Sequence, residues 1–248
     1  MVKVITSSFC VHFVKQNSCA ITIFCDLKNP FYDGSTCRCS LPVEDVQGDG
    51  RWMSLHEHYV YLTKEGEPEV LFVGDSLIQH LEQSEVWKNM FIGYHCLNFG
   101  LGGDQTQHVL WRLQNGELEN IQPKVVVLLV GTNNHGHTAE EVTNGIETIV
   151  KLIVEKQPQA RVIVMAIPPR GHMHNKLRDK NSAINVALAS SLPGLGKAEL
   201  VDSTSGLVQS DGLIYPTDMF DYLHFTNEGY KKLCEPLQVR LDEILSKV

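Results

Sequence analysis

A chain of 248 residues, with 43% hydrophobic and 20% charged residues, can bury one large core, and it contains no internal repeat or low-complexity tract. Its formal net charge is -8, and its Lys and Arg residues are scattered rather than gathered into a stripe, which argues against nucleic acid or an anionic membrane surface as partner. Nowhere do about eighteen apolar residues run together, so the sequence offers no membrane-spanning helix.

Residues 1–43 show no sustained period and hold five of the seven cysteines, Cys10, Cys19, Cys25, Cys37 and Cys39. Their spacing fits no zinc template, and Lys3, His12 and Lys15 interrupt every apolar run that a signal peptide would need. The expectation is a poorly ordered appendage over 1–43, one folded domain over 44–248, and a cytoplasmic chain with free thiols.

Beyond the appendage, apolar runs of strand length alternate with longer helical patterns, the signature of a doubly wound α/β fold. Five parallel strands are predicted, Val70 to Val73, His95 to Phe99, Val125 to Val130, Arg161 to Ile167 and Glu199 to Val201, with helices on both faces. The predicted helices are Leu77 to Met90, Gln105 to Gln114, Ala139 to Lys156, Asn175 to Leu192 and a closing segment from Thr226 to Lys247. Thr138 and Glu141 form a capping-box pair at the head of the third.

Four blocks carry chemistry. Gly74-Asp75-Ser76-Leu77 places a serine where a buried strand turns into a helix, at the end of the sheet where ligands bind and helix N–H groups are free. Gly-Asp-Ser is equally good turn and N-cap chemistry. Gly100-Leu101-Gly102-Gly103-Asp104 follows the next strand and lets the backbone approach a ligand, but it lacks the spacing of a phosphate-binding loop. Gly131-Thr132-Asn133-Asn134 ends the most hydrophobic strand with two carboxamides, ordinary in a turn and suited to an oxyanion. Asp221-Tyr222-Leu223-His224 sets a carboxylate three residues before an imidazole, so that Asp221 could fix the tautomer leaving Nε2 free to take the Ser76 proton.

Together the blocks resemble the SGNH (GDSL) hydrolase superfamily, whose namesake residues match Ser76, Gly103, Asn133 and His224. From about Asp45 to Lys247 the chain is more specifically similar to the catalytic subunits of intracellular platelet-activating factor acetylhydrolase Ib. Strings such as Val46-Gln47-Gly48-Asp49-Gly50-Arg51-Trp52-Met53-Ser54 and Thr106-Gln107-His108-Val109-Leu110-Trp111-Arg112-Leu113 carry that likeness. The resemblance implies a flavodoxin-like sheet and a triad of Ser76, Asp221 and His224. It further implies an oxyanion hole from Ser76, Gly103 and Asn133, and Leu77 and Leu223 beside the acyl group. The implied reaction removes an sn-2 acetyl group from a platelet-activating-factor-like phospholipid through an acyl-enzyme, without metal or cofactor. The implied partners are a second catalytic subunit, as homo- or heterodimer, and a WD40-repeat regulatory subunit. The chain departs from the family at Leu129, at Ile167-Pro168, and at His58, near an expected dimer contact. Two other readings share the fold: an SGNH esterase acting on other acetylated substrates, and a scaffold subunit with idle chemistry. His135-Gly136-His137 and His172-Met173-His174 read as loop histidines, and Val109, Leu110, Trp111 and Leu113 as core-facing residues of a helix.

Overall fold

The computed structural model describes residues 49–246. The appendage predicted over 1–43, its five cysteines and the predicted helix end at Lys247 lie outside the described residues. In chain order the elements are α1 (Arg51–Glu65), β1 (Val70–Gly74), α2 (Ser76–Glu82), α3 (Glu85–Met90), β2 (Cys96–Gly100), α4 (Thr106–Arg112), β3 (Val125–Leu129), α5 (Ala139–Lys156), β4 (Arg161–Met165), α6 (Lys176–Ser191), β5 (Ala198–Val201) and α7 (Asn227–Leu245). No helix among the described residues is long and apolar enough to cross a membrane.

The five strands form one parallel sheet in the order β2-β1-β3-β4-β5. Successive side chains of a strand point to opposite faces, which divides the apolar runs between two cores. Leu71, Val73, Val126, Leu128, Val162 and Val164 pack with α1, α4, α5 and α6, while Val70, Phe72, Val125, Val127, Ile163 and Met165 pack with α2, α3 and α7. The chain leaves β1 for the edge strand β2 and returns past β1 to β3, so the direction of winding reverses between β1 and β3. In open parallel sheets that reversal opens a crevice at the carboxyl ends of the strands.

Several boundaries differ from the sequence reading for local reasons. The predicted helix from Leu77 to Met90 is two helices, because the Ser84 hydroxyl donates to the Leu81 carbonyl at 2.6 Å and caps a new helix by accepting from the Trp87 N–H at 3.2 Å. His95 adopts a left-handed φ of 50° and so precedes β2 rather than opening it. β4 stops at Met165 because Asn185 of α6 replaces a neighbouring strand, pairing both the N–H and the carbonyl of Ile167 at 2.8 and 2.9 Å. The predicted helix from Gln105 ends at Arg112 and passes into a wide turn, Leu113–Glu117, where Gly116 has a φ of 115°. Helix α1 is absent from the sequence reading. Its inward side carries Trp52, Leu55, His56, Tyr59, Leu62 and Thr63 at helical spacing, but two of these six are polar and dilute the pattern.

The join of β1 to α2 is held tightly. A Cβ added at Gly100 would stand 2.2 Å from the Gln79 backbone nitrogen, so only glycine allows α2 to lie this close to the end of β2. Asp75 caps α2: one carboxylate oxygen accepts from the Leu77 N–H at 2.9 Å, while the other is buried without a hydrogen-bond partner among the described residues. Burial pushes this carboxyl up to about 7, with the charge on Asp104 adding to the effect and the Leu77 hydrogen bond opposing it. The unfolded group titrates near ~4, so between pH 4 and 7 the folded chain binds the extra proton and stability falls as pH rises. Asp75→Asn keeps an acceptor for Leu77 and removes the titration. In urea unfolding, the stability of the Asn variant relative to the native chain is expected to grow by on the order of 2–4 kcal/mol from pH 4.5 to pH 8. Parallel curves across that range would show that Asp75 stays ionised in the folded state.

Candidate active site

Three residues singled out in the sequence, Ser76, Asp221 and His224, meet where the sheet reverses its winding. Ser76 opens α2 directly after β1, and its hydroxyl is 3.0 Å from Nε2 of His224. The His224 Nδ1 is 2.6 Å from Oδ2 of Asp221. The other oxygen of Asp221 accepts from the backbone N–H groups of Leu223 and His224, at 3.0 and 2.7 Å. Burial alone would raise the Asp221 carboxyl, but these hydrogen bonds, from His224 first, hold it below its usual range. Hydroxyl, imidazole and carboxylate therefore form one hydrogen-bonded line, with Ser76 only 8% exposed.

The loop carrying this pair is shaped by its own backbone. Met219 and Phe225 bridge as an antiparallel pair, and the Phe220 N–H donates to the His224 carbonyl at 3.1 Å, closing a tight loop that turns Asp221 and His224 toward each other. Tyr222 takes a left-handed φ of 63° at its tip. The base of the loop rests on α7, where a Cβ on Gly229 would meet the Asp218 carbonyl at 2.0 Å. Phe220 stacks on one side of the His224 ring at 5.9 Å, and His80 of α2 lies 4.9 Å from it. Burial, then the neighbouring His224, lowers the pKa of His80.

The glycine loop after β2 comes close to the serine, and the loop after β3 is hydrogen-bonded to that glycine loop. The Ser76 N–H is at the first position of a helix and has no acceptor within it. Gly103 is exposed at a φ of 85°, a conformation that favours glycine, and Gly102 approaches closely enough that an added Cβ would be 3.8 Å from the Ser76 Cβ. From the loop after β3, the Asn133 Nδ2 donates to the Asp104 carbonyl at 3.0 Å. A carboxamide nitrogen carries two hydrogens, so one fixes the orientation of Asn133 and the other is left to give. Leu223 is half-buried, whereas Leu77 is 1% exposed and packs into the core beneath α2.

Sequence reasoning passed over the residues that hold these loops. Gln79 accepts from the Gly102 N–H at 3.0 Å, and Gln105 donates to the Asn133 carbonyl at 2.9 Å. Arg112, wholly buried, donates to Asp104 at 2.8 Å, to Glu117, and to the carbonyls of Gly74 and Phe99 at 3.3 and 3.2 Å. Trp111 packs against Trp52 and His56, while Val109, Leu110 and Leu113 are buried. His135 meets Arg170 at 2.9 Å and His174 meets Asp179 at 2.6 Å.

The GDSL-like lipase/acylhydrolase family profile matches residues 72–232, which include all four blocks. The chain is 55% identical over 206 residues to the Homo sapiens protein named platelet-activating factor acetylhydrolase IB subunit alpha1, covering 83% of this chain and 89% of that one. It is 55% identical over 204 residues to the Homo sapiens alpha2 subunit, covering 82% and 89%. A solved structure of a GDSL-like lipase from Bacteroides thetaiotaomicron shares the fold, with a TM-score of 0.65 at 16% identity over 80% of this chain and 99% of that one. With the family profile spanning most of the sheet and relatives of this identity over four fifths of its length, the chain belongs to the GDSL-like lipase/acylhydrolase family and is a carboxylic ester hydrolase.

Proposed function

We propose that the enzyme removes an acetyl group from the sn-2 position of platelet-activating-factor-like phospholipids through an acyl-enzyme on Ser76. The observation that supports this reading is the line from Ser76 through His224 to Asp221, at 3.0 and 2.6 Å, and Ser76, Gly103 and Asn133 are taken as the donors to the oxyanion. Ser76 Oγ attacks the ester carbonyl as its proton passes to His224 Nε2, and Asp221 stabilises the imidazolium. The carbonyl oxygen, now an anion, takes hydrogen bonds from the two backbone N–H groups and the Asn133 amide. The C–O bond to the glycerol carbon's oxygen then breaks as His224 returns the proton to that alcohol. Water repeats the sequence on the acetyl-serine, giving acetate and free Ser76.

The choice of acetyl and of a lipid rests on the names of the relatives and on Leu223 beside the base. The relatives are named as subunits, which supports an assembly of catalytic chains as a dimer, with a WD40-repeat regulatory subunit and a cytoplasmic setting as part of the same reading. The catalytic unit is taken to span 44–248.

Ser76→Ala is expected to fold normally and to lose ester hydrolysis, since no other nucleophile stands in the line. Near-native turnover by the purified variant would remove Ser76 from the mechanism. Asn133→Ala should lower kcat by on the order of 10²-fold, the usual effect of losing one oxyanion donor. A change confined to KM would instead make Asn133 a substrate-binding group. For acyl length, Leu223→Ala is the cleaner test, because Leu77→Ala would also open a core cavity at about 2–5 kcal/mol. A hydrophobic wall discriminates by roughly 1–3 kcal/mol per methylene, so the native enzyme should favour acetyl over hexanoyl esters of one leaving group, and Leu223→Ala should narrow that ratio. Equal kcat/KM for both esters in the native enzyme would defeat the acetyl preference while leaving the esterase intact.

A further inference from the structure

Beside the triad, on its Asp221 side, a cavity of about 490 Å³ opens between the loop after β4, the start of α6 and the loop that carries Asp221. Small-molecule sites run from roughly 300 to 1,000 Å³, so this one has room for a polar substituent of the substrate. Arg170 and Lys176 line it together with Asp221, Tyr222 and Leu223.

Arg170 is half-buried and anchored along one side only. Its Nη1 donates to the Thr132 carbonyl at 2.9 Å and to the Thr132 hydroxyl at 3.2 Å, and meets His135 Nε2 at 2.9 Å. The remaining edge of the guanidinium, Nε with Nη2, has no hydrogen-bond acceptor among the described residues. That edge is one of the forks that grips two oxygens of a phosphate or carboxylate at once. Neither Arg170 nor Lys176 forms an ion pair among the described residues. Asp75 and Asp221 act on Arg170 only through space. Lys180, the nearby third cation, is spent on the carbonyls of Asn134, His135 and His137. The cavity's own carboxylate is spent as well, with Asp221 held by the His224 ring and two backbone N–H groups. Two cations with unspent donors therefore face a space whose anion is already committed.

We propose that this cavity binds the phosphodiester attached to the substrate's glycerol, with the Nε/Nη2 edge of Arg170 gripping two phosphate oxygens and Lys176 supplying a second charge at its rim. The proposal rests on the phospholipid reading above and adds the place of the headgroup. The chemistry of a glycerolipid matches the spacing: the ester and the phosphate hang from neighbouring carbons, so a phosphate site must begin within a few atoms of the catalytic base. Leu223 meets that condition, since it both precedes His224 in the chain and lines the cavity. Arg170 is pre-oriented by Thr132, and a fixed donor pair loses little freedom when the ligand arrives.

The test compares two acetyl esters, a 2-acetyl glycerophospholipid and a neutral aryl acetate, in the native enzyme, Arg170→Gln and Lys176→Gln. The ratio of kcat/KM for the phospholipid to that for the aryl acetate is expected to fall about tenfold or more in Arg170→Gln and about threefold in Lys176→Gln, chiefly through KM. A second arm uses sn-glycero-3-phosphocholine as competitor of aryl acetate hydrolysis. It should inhibit the native enzyme and lose potency in both variants, while inorganic phosphate at equal concentration should not compete. The proposal is overturned if both esters decline in proportion, which would leave Arg170 as a brace for Thr132. It is equally overturned if the ratio stays constant, or if inorganic phosphate competes as well as the diester, which would mark a site for free anions. Failure of the phospholipid reading shows separately, as a native enzyme that cleaves aryl acetate and not the phospholipid, and the competition arm still decides whether the cavity takes the diester.

Discussion

The Arg112 guanidinium, with no exposed surface, spends its donors on four separate parts of the chain: the Asp104 and Glu117 carboxylates, the Gly74 carbonyl that ends β1 and the Phe99 carbonyl one residue before the end of β2. Its two carboxylate partners reach further still. Asp104 accepts from the Trp52 indole at 2.8 Å and Glu117 pairs with His56 at 2.8 Å, which hooks α1 onto the same cluster. Charges taken out of water are stable only when each is met, and removing one member of such a set typically costs about 3–5 kcal/mol. The cluster therefore admits one arrangement of the Leu101–Asp104 loop. Because Asn133 is oriented by the Asp104 carbonyl, the Asn133 amide inherits its position from a salt bridge buried on the far side of that loop.

Above this base the winding of the sheet does the gathering. Ser76 follows β1, the glycine loop follows β2, Asn133 follows β3 and Arg170 follows β4, so four strands in turn each carry one of these groups to the carboxyl end of the sheet. The proposed acid and base, Asp221 and His224, come from none of them. They sit on a loop after β5 that packs against the sheet through Leu207, Ile214 and Met219, is tied to α6 where Arg178 donates to the Gly212 carbonyl at 2.8 Å, and runs into α7, while the Met219–Phe225 bridge keeps the ends of its tip together. Serine and imidazole are 148 residues apart in sequence, and a 3.0 Å contact between them requires both the sheet and the α7 docking to be in place.

The parts of this design that could be read from the sequence are those with a strong period or a short motif. All five strands were legible as short, mainly apolar runs between helical patterns, β1 and β3 most clearly because a doubly covered parallel strand is an unbroken apolar run, and α5 matched from Ala139 to Lys156 because a capping box marks its start. The four motif blocks were legible for a similar reason, each being a strand end or a fixed short spacing. What escaped was long-range polar pairing. Arg112 read as one more residue of a helix, and nothing in its neighbours announces Asp104, Glu117 and two carbonyls as partners. Helix α1 escaped because His56 and Thr63 occupy inward positions, and a histidine is inward here only because Glu117, 61 residues away, meets it. Leu77 was expected to narrow the acyl pocket beside Ser76, and its burial in the core beneath α2 was not legible from its place next to the serine.

Two carboxylates flank the serine, one before it in sequence and one across the crevice, and their surroundings drive them apart. Asp75 is buried, has one oxygen without a partner, and is pushed up to about 7. Asp221 has both oxygens engaged by three donors and is held below the usual carboxylate range. Only a carboxylate that remains ionised can steady an imidazolium formed as the serine gives up its proton, and only one facing Nδ1 can set the tautomer. Asp75 does not meet the second condition, because its bonded oxygen is turned back onto the Leu77 N–H at the head of α2. Its contribution is mechanical: by capping α2 it fixes where the helix begins, and the residue at that beginning is Ser76. The Gly-Asp-Ser-Leu segment thus joins a positioning acid to the proposed nucleophile, while Asp221, the acid proposed to serve the proton transfer, is supplied from near the opposite end of the chain.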